Sequence, residues 1–364
     1  MTLDAALLLA GPRGRRLCLE YATAAARESG TQAGRDAATA VFWAAHALEG
    51  ESSTSVLFTS DGSPPTGAVP AVRPEEAASA LDSIALPSPS AESLRDALGA
   101  SVDRAMYWQP PDGADVLAST APVRGSLARV AELVAASPHA GWWATPVELD
   151  DQWAVPWEGS GRPPADPGSV LAAWREGVAA DEIRAARERP ADPNAPWSGM
   201  WWSMPPTELS HSTRGIAGGA PAGLWLVEDS PGWEAATATP LDAFPGRVIE
   251  IHGPEEWIDL CRRHPLPVTA SRRHDWFRVT GRDGDWVMPD WSRVAEEADG
   301  VHVSVACYLA TAGRLLDLED GRASVMAGWA PDTTWWFAGV SAREADAVQW
   351  VRDDDDWVPA ASER

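Results

Sequence analysis

Four stretches within the first 137 residues carry apolar side chains at the i, i+3, i+4 spacing of an amphipathic helix. They span residues 15–29, 37–50, 91–108 and 124–137, and Gly50 and Pro138 suit the ends of two of them. Residues 55–60 (SVLFTS) are predicted to form a short strand, and a loop rich in Pro and Gly follows them. We therefore predict a mainly helical domain over residues 1–137.

The pattern changes over residues 138–206, where Trp, Pro and Gly are frequent and only residues 167–189 show a helical spacing. Two segments of this region resemble each other, WWATPVEL at 142–149 and WWSMPPTEL at 201–209. Either the region holds a degenerate duplication, or two strands each begin with an aromatic pair before a Pro turn. We interpret residues 138–206 as a Trp- and Pro-rich connecting region with one helix.

Strand and helix patterns alternate over residues 207–364. Strands are predicted over 222–228, 246–253, 276–281, 286–289, 301–309 and 333–339, with 276–281 and 286–289 forming a hairpin. Helices are predicted over 254–264 and 290–300, the second ending at Gly300. The fold class predicted is α+β, with a helical N-terminal part packed against a C-terminal domain that contains a mixed or antiparallel sheet.

The charge of the chain limits its partners. All 29 basic residues are Arg, and 53 acidic residues bring the net charge to −24. Such a field repels nucleic acid and anionic membranes, so nonspecific binding to either is not expected. Arg keeps its charge when buried and binds phosphate or carboxylate groups bidentately. We therefore expect an anionic small molecule to be bound locally, at a cluster of arginines.

Neither a membrane span nor a secretory signal is predicted. No apolar run approaches the roughly 18 residues of a spanning helix. The short apolar run at the N-terminus follows an Asp and precedes its arginines, which is the reverse of the charge order in a signal peptide. Cys18, Cys261 and Cys307 are widely spaced, which favours reduced thiols over disulfides. These features predict a cytoplasmic protein; the oligomeric state is left open.

Standard catalytic signatures are absent from the sequence. No GxGxxG, GxxxxGKS/T, HExxH or GxSxG segment occurs, which argues against dinucleotide-binding dehydrogenases, P-loop NTPases, zincins and ordinary α/β-hydrolases. A single Cys-x-x-His at Cys261 and His264 is a poor zinc signal, so no metal site is predicted.

The most basic segment of the chain is residues 262–282, with six arginines and one acidic residue. Arg262 and Arg263 suit the end of a helix, where cations interact favourably with the helix dipole. Arg273, His274 and Arg278 come next to a predicted strand and form a candidate anion site. There the two arginines hold a phosphate or carboxylate and His274 transfers a proton. The alternative is that these arginines lie on exposed faces and pair with acidic residues.

A second cluster precedes the glycine-rich segment at residues 215–223. Ser212, Thr213 and Arg214 suit the binding of a pyrophosphate, or else they belong to a loop that only turns the chain. In the predicted strand 301–309, His302 and Ser304 share one face. That face lines a cleft, or His302 is a core histidine with satisfied hydrogen bonds.

Tryptophans lie close to both clusters. Trp225, Trp276, Trp286 and Trp291 either stack a ligand or belong to the core, and with 21 Trp against five Phe and three Tyr most of them must be core.

The segments WWSMPP, HSTRG, GLWLVEDSPGWE, VTASRRHDWFRVTG and GWAPDTTWWF resemble a group of Trp-rich actinobacterial hypothetical proteins, a likeness that implies no activity. A looser likeness is to ADP-ribosyltransferases, in which an arginine on an early strand precedes hydroxyl-bearing and histidine strands. It implies that Arg214 binds a phosphate of NAD and that His302 or His274 faces the nicotinamide ribose. The Ser-Thr-Ser strand and Glu-x-Glu loop of that family are not evident in this chain.

These patterns predict an enzyme that acts on a nucleotide or phosphorylated small molecule, with NAD-dependent ADP-ribosyl transfer as its most specific form. Its cofactor-binding residues would be Ser212, Thr213, Arg214, Arg273 and Arg278, with His274, His302 and Ser304 as catalytic residues. The alternative is a non-catalytic binding protein whose Trp-rich surfaces near 142–157 and 197–202 recognise a glycan, a peptide or a partner protein. Convergence of Arg214, His274 and His302 in one cleft favours the enzyme.

Overall fold

A computed structural model describes residues 3–49, 70–156, 166–216, 219–230, 232–354 and 356–360. The N-terminal part is helical, as predicted. Its helices are α1 (Ala5–Ala10), α2 (Pro12–Glu28), α3 (Gln32–Ala47), α4 (Pro74–Asp82), α5 (Ala91–Asp103), α6 (Gly113–Ser119) and α7 (Ala121–Ala135). The four longest match the predicted helices, whereas α1, α4 and α6 are too short to show a clear period. The strand predicted over 55–60 lies outside the described residues.

The rest of the chain combines short strands and helices. The Trp- and Pro-rich region contains a 3-10 turn (Pro138–Ala144), strand β1 (Gln152–Ala154) and the predicted helix α8 (Pro167–Glu188). The elements that follow are β2 (His211–Arg214), β3 (Ala235–Pro240), β4 (Val248–Ile251), α9 (Pro254–Arg263), β5 (Pro265–Pro267), α10 (Thr269–Thr280), β6 (Asp285–Pro289), α11 (Trp291–Val294), β7 (Gly300–Val303), α12 (Val305–Thr311), β8 (Leu316–Asp317), β9 (Arg322–Ser324), β10 (Thr334–Trp336), β11 (Val348–Asp353) and β12 (Asp356–Pro359).

The strands form two mixed sheets. The larger has the order β12-β11-β3-β1-β2-β10-β7-β4, and only its β4–β7 pair is parallel. The smaller has the order β5-β6-β9-β8, with β6 and β9 parallel. With helices concentrated N-terminally and sheets C-terminally, the fold is α+β, which confirms the predicted class.

One hydrophobic core joins the helical part to the sheets. It contains Leu8 and Leu17 from α1 and α2 together with Val301 of β7, and α12 packs against both of those helices. Trp257, Trp291 and Trp329 form an aromatic cluster in this core, with ring centroids 5.5 to 6.0 Å apart. Most of the large aromatic surface of the chain therefore stabilises the fold.

The strand predicted over 276–281 is wrong, because these residues belong to the last two turns of α10. Their Trp, Phe, Val and Thr residues favour a strand locally. The helix begins instead at a contact that is distant in sequence, since the carboxylate of Glu182 on α8 accepts the backbone N–H groups of Ala270 and Ser271 at 2.7 and 2.8 Å. Gly281 ends it at φ +72°, a conformation that glycine adopts freely. Strand β6 consequently pairs with β5 and β9, and the predicted hairpin does not form.

Two other strand predictions need correction. Residues 222–228 begin with a 3-10 turn (Ala222–Leu224), because the N–H of Gly223 donates to the Thr213 hydroxyl at 2.9 Å instead of to a neighbouring strand. The strand predicted over 301–309 ends at Val303, and α12 follows it. The Ser304 hydroxyl accepts the N–H of Cys307 at 3.2 Å and so caps this helix.

The helix predicted over 290–300 is shorter than expected. It is reduced to α11 (Trp291–Val294), and Gly300 begins β7 instead of ending a helix. Among the described residues no helix is both long and apolar enough to cross a membrane.

Candidate functional site

The hydroxyl groups of β2 make hydrogen bonds to other parts of the fold. Ser212 Oγ donates to Gln152 Oε1 at 2.7 Å and accepts from Trp336 Nε1 at 2.8 Å. Thr213 Oγ1 accepts the N–H of Gly223, as described above. Both side chains are buried. They thus attach β2 to neighbouring segments. Because both hydroxyl groups make hydrogen bonds within the fold, these contacts do not indicate a ligand site.

The guanidinium group of Arg214 is also used within the fold. Its Nε donates to Asp332 Oδ1 at 2.8 Å, and its Nη1 donates to Thr145 Oγ1 at 2.7 Å and to Glu148 Oε1 at 3.0 Å. Nη2 donates to the carbonyl oxygen of Pro146 at 2.9 Å. The side chain is 3% exposed. An anion would therefore have to displace carboxylates that already neutralise this arginine.

His302 shares Asp332 with Arg214. Its Nδ1 lies 2.6 Å from Glu250 Oε2, and its Nε2 lies 3.4 Å from Asp332 Oδ1. Burial opposes the charged imidazolium, but hydrogen bonds to the two carboxylates outweigh burial and raise the pKa of His302 above its ordinary value. The same bond to His302 holds the pKa of Glu250 below its usual range despite partial burial. These residues form a largely buried ionic network that extends from β2 across β7 to the edge strand β4 of the larger sheet.

Ser304 lies outside this network, since it caps α12 and does not share a strand face with His302. The prediction that His302 and Ser304 line one face is therefore wrong. His302 itself has a polar partner on each ring nitrogen, as a histidine with satisfied hydrogen bonds does in a core.

The second predicted group lies on α10. Arg273 Nη1 donates to the carbonyl oxygen of Pro190 at 2.9 Å. Beside it His274 is 2% exposed, and its Nε2 has no hydrogen-bond partner among the described residues. Burial, followed by the charges of Arg273 and Arg278, lowers the pKa of His274. The imidazole is therefore neutral near pH 7.

Arg278 joins α10 to two other segments. Its Nη1 donates to Asp275 Oδ1 at 2.7 Å and to the carbonyl oxygen of Trp108 at 3.1 Å, and its Nη2 donates to the carbonyl oxygen of Trp197. The ion pair between Asp275 and Arg278 follows from the helix, because the two residues are three positions apart and share a face of α10.

The two predicted groups are not brought together. Arg214 and His302 meet at Asp332 in the larger sheet, whereas His274 lies on α10, which packs against α8 and β6. No hydrogen bond or ion pair joins the two groups in the described part of the chain. Of the nearby tryptophans, Trp276, Trp286 and Trp291 are fully buried and offer no wall to a ligand. Trp225 is half-buried, and its Nε1 donates to Asp356 Oδ1 at 3.1 Å.

A different residue of the basic segment faces a cavity. Arg272 contributes to a cavity of about 530 Å³ between α8, residues 200–208 and the start of α10. Its apolar walls include Trp174 and Val178 of α8 and Trp202 and Met204 of the 200–208 segment. Four charged residues besides Arg272 also line it, namely Asp181, Arg184, Arg189 and Glu208. A concave cavity that combines apolar walls with a limited number of polar groups is the usual form of a small-molecule site.

The charge of Arg272 is poorly compensated. The residue is 3% exposed, and its Nε donates to the carbonyl oxygen of Trp202 at 3.2 Å. The nearest carboxylate, Asp181, lies 3.9 Å from its Nη1 and already pairs with Arg184 and Arg189 at 2.5 and 2.9 Å. Burial lowers the pKa of Arg272 to about 10. The group is still charged near pH 7, and it lines the cavity with no carboxylate closer than 3.9 Å.

The spacing of two residues in the sequence indicates this site. Arg272 and Trp276 are four residues apart, so a helix over 269–280 places both on one face, and both are buried. The strand predicted over residues 276–281 does not place Arg272 and Trp276 on a shared helix face.

Comparison of the chain with protein-family models, with curated proteins and with solved structures finds no match. A function must therefore be inferred from the geometry of the described residues.

Proposed function

We propose that the chain binds an anionic small molecule with an apolar or aromatic body in the cavity beside Arg272, which we call the Arg272 pocket. One observation carries this proposal, namely a buried guanidinium group that lines an apolar cavity with no carboxylate closer than 3.9 Å. A phosphate or carboxylate supplies the missing counter-charge and can bind bidentately.

The walls of the pocket favour a planar or apolar body on the ligand. Trp174 and Trp202 offer aromatic surface for a base or another ring, and Met204 adapts to irregular shapes. The volume of about 530 Å³ falls within the roughly 300–1,000 Å³ of typical ligand pockets. Nucleotides and other phosphorylated metabolites of the cytoplasm, the location predicted for this chain, combine these features.

The anionic ligand predicted from the sequence is retained in this proposal, but its counter-ion is Arg272. ADP-ribosyl transfer from NAD stays a prediction for the reaction. Nicotinamide release from NAD is the measurement that tests it, and an absence of release in a protein that binds NAD would reduce the function to binding.

The binding proposal is tested by titrating the full chain with NAD, ATP and an aromatic carboxylate in a calorimeter, using the wild type and Arg272→Gln. Loss of a charge-assisted contact worth about 1.5–3 kcal/mol weakens binding roughly ten- to hundredfold. Arg273→Gln is the matched control, because it removes the neighbouring arginine, whose Nη1 contacts the carbonyl oxygen of Pro190. Absence of binding to every probe, or equal loss in both variants, would overturn the Arg272 pocket as an anion site.

A second candidate function rests on exposed apolar side chains beside the same pocket. Trp197, Met200 and Trp202 are 41%, 45% and 38% exposed within six residues of chain. Such a patch suits a peptide or glycan partner. Glycan- or peptide-array binding that Trp197→Ala abolishes and Arg272→Gln leaves intact would favour this function over the anion site.

A further inference from the structure

A second cavity of about 520 Å³ lies on another side of the molecule, where the helical part meets the C-terminal part. Its walls come from the beginning of α2, the loop after α5 and the turn that follows α12. Three arginines, Arg15, Arg104 and Arg314, line it. None of the three has a carboxylate within ion-pair distance among the described residues, although the chain contains 53 acidic residues.

The carboxylates of this cavity are already engaged. Asp115 pairs with Arg13 and Arg16, and Asp112 lies 2.9 Å from Arg16 Nη1. The Glu49 carboxylate accepts the backbone N–H of Gly113 at 3.1 Å. Four arginines and three carboxylates line the cavity, which leaves a local charge of +1 in a protein of net charge −24.

Arg15 is the most constrained of the three unpaired arginines. Its Nη1 donates to the carbonyl oxygens of Leu9 and Ala10 at 3.1 and 3.0 Å, at the C-terminal end of α1. Its Nε is buried and has no hydrogen-bond partner. Burial lowers the pKa of Arg15, and the charges of Arg124 and Arg314 lower it further. An unpartnered donor among like charges is costly unless an acceptor arrives from outside.

We propose that this cavity, the Arg15 pocket, binds a small, multiply charged phosphate compound through Arg15, Arg104 and Arg314. Several phosphate oxygens on one ligand can contact all three arginines, and they accept from guanidinium groups that have no carboxylate partner. The ligand differs from that of the Arg272 pocket, because no tryptophan lines the Arg15 pocket.

Binding at this place couples two parts of the chain. Arg15 and Arg104 belong to the helical part, and Arg314 belongs to the turn after α12. A shared anion therefore joins the two, and we expect it to stabilise the folded chain against heat as any ligand specific for the native state does.

Pyrophosphate is the probe for this site, with orthophosphate in a second arm and sodium chloride at matched ionic strength as the background. We expect saturable binding of pyrophosphate by calorimetry and an increase in Tm. Arg104→Gln and Arg314→Gln each weaken binding at least about fivefold, and the double variant abolishes it. Both side chains are exposed, so neither change should prevent folding.

Arg35→Gln is the matched control, since Arg35 is an exposed arginine of α3 that does not line the cavity. Arg272→Gln should leave pyrophosphate binding unchanged, which keeps the outcome independent of the first proposal. No saturable binding to the wild type, or binding that survives in the double variant, overturns the Arg15 pocket. Binding of orthophosphate as tight as that of pyrophosphate would also contradict a site for multiply charged compounds.

Discussion

Glu228 is a buried carboxyl group whose protonation should make the stability of the fold depend on pH. Its Oε2 accepts the N–H of Gly328 at 2.6 Å, and its Oε1 is also buried. The hydroxyl groups of Tyr107 and Tyr308 are close enough to interact electrostatically with the carboxylate and are themselves buried. Burial raises the pKa of Glu228 to about 8. The group is therefore largely protonated in the folded chain near pH 7.

The sign of the pH dependence follows from this raised pKa. In the unfolded chain the carboxyl ionises near its ordinary pKa of about 4.3, whereas the folded chain keeps the proton up to a pH of about 8. The contribution of Glu228 to stability is thus fully present below about pH 4 and is lost as pH rises to about 8. Each pH unit between these limits removes about 1.4 kcal/mol. From about pH 5 to about pH 7 the loss is about 3 kcal/mol.

Glu228→Gln isolates this effect, because glutamine has the same shape and no charge at any pH. Urea unfolding at several pH values gives the difference in unfolding free energy between variant and wild type. We expect this difference to move in favour of the variant by about 3 kcal/mol between about pH 5 and about pH 7. Glu234→Gln, which removes an exposed carboxylate in the same region, is the matched control. A flat difference for Glu228→Gln would refute the protonated, buried carboxyl.

Three further changes test the sites described above. Arg272→Met should raise the unfolding free energy of the ligand-free chain by about 1–3 kcal/mol in urea, because it removes a buried charge while Asp181 keeps its two other arginines. His302→Gln should cost about 3 kcal/mol near pH 6. Because the pKa of His302 is raised, its contribution is present below its ordinary pKa of about 6.5 and declines as pH rises through the folded value, so the cost should shrink in urea titrations at higher pH. Gly328→Ala should lower Tm and weaken ligand binding in the Arg272 pocket, since φ is +83° and the added Cβ would lie 2.7 Å from Trp202 Cδ1; unchanged Tm and affinity would contradict it.

The helical part of the fold could be predicted from sequence. Each long helix buries one face, so its apolar residues recur along the chain at the helical spacing. The structure of residues 269–281 could not be predicted, since Trp276, Phe277 and Val279 favour a strand and the contact that favours a helix comes from Glu182, 88 residues away from Ala270. The site depends on that outcome, because Arg272 joins Trp276 on one buried face only in a helix.

Arg214 illustrates the second limit of reading sites from sequence. Its position before a glycine-rich segment favours a phosphate ligand, but its partner is Asp332, 118 residues along the chain. No local pattern reveals that pairing. Hydroxyl groups next to an arginine in the sequence therefore indicate only that an anion could be bound. Whether the arginine is available depends on acidic residues that are distant in sequence.

Arginine density alone is a poor guide in a chain of this composition. With 29 arginines and 53 acidic residues, most guanidinium groups can find a carboxylate, as Arg214 and Arg278 do. An arginine that is buried and still lacks a close carboxylate leaves part of the desolvation cost uncompensated, and a bound anion is the simplest compensation. Arg272 meets that condition beside apolar walls, and Arg15 meets it in part, as a half-buried arginine among further arginines. Two ligands of different chemistry, one amphipathic and one small and multiply charged, follow from that difference in surroundings.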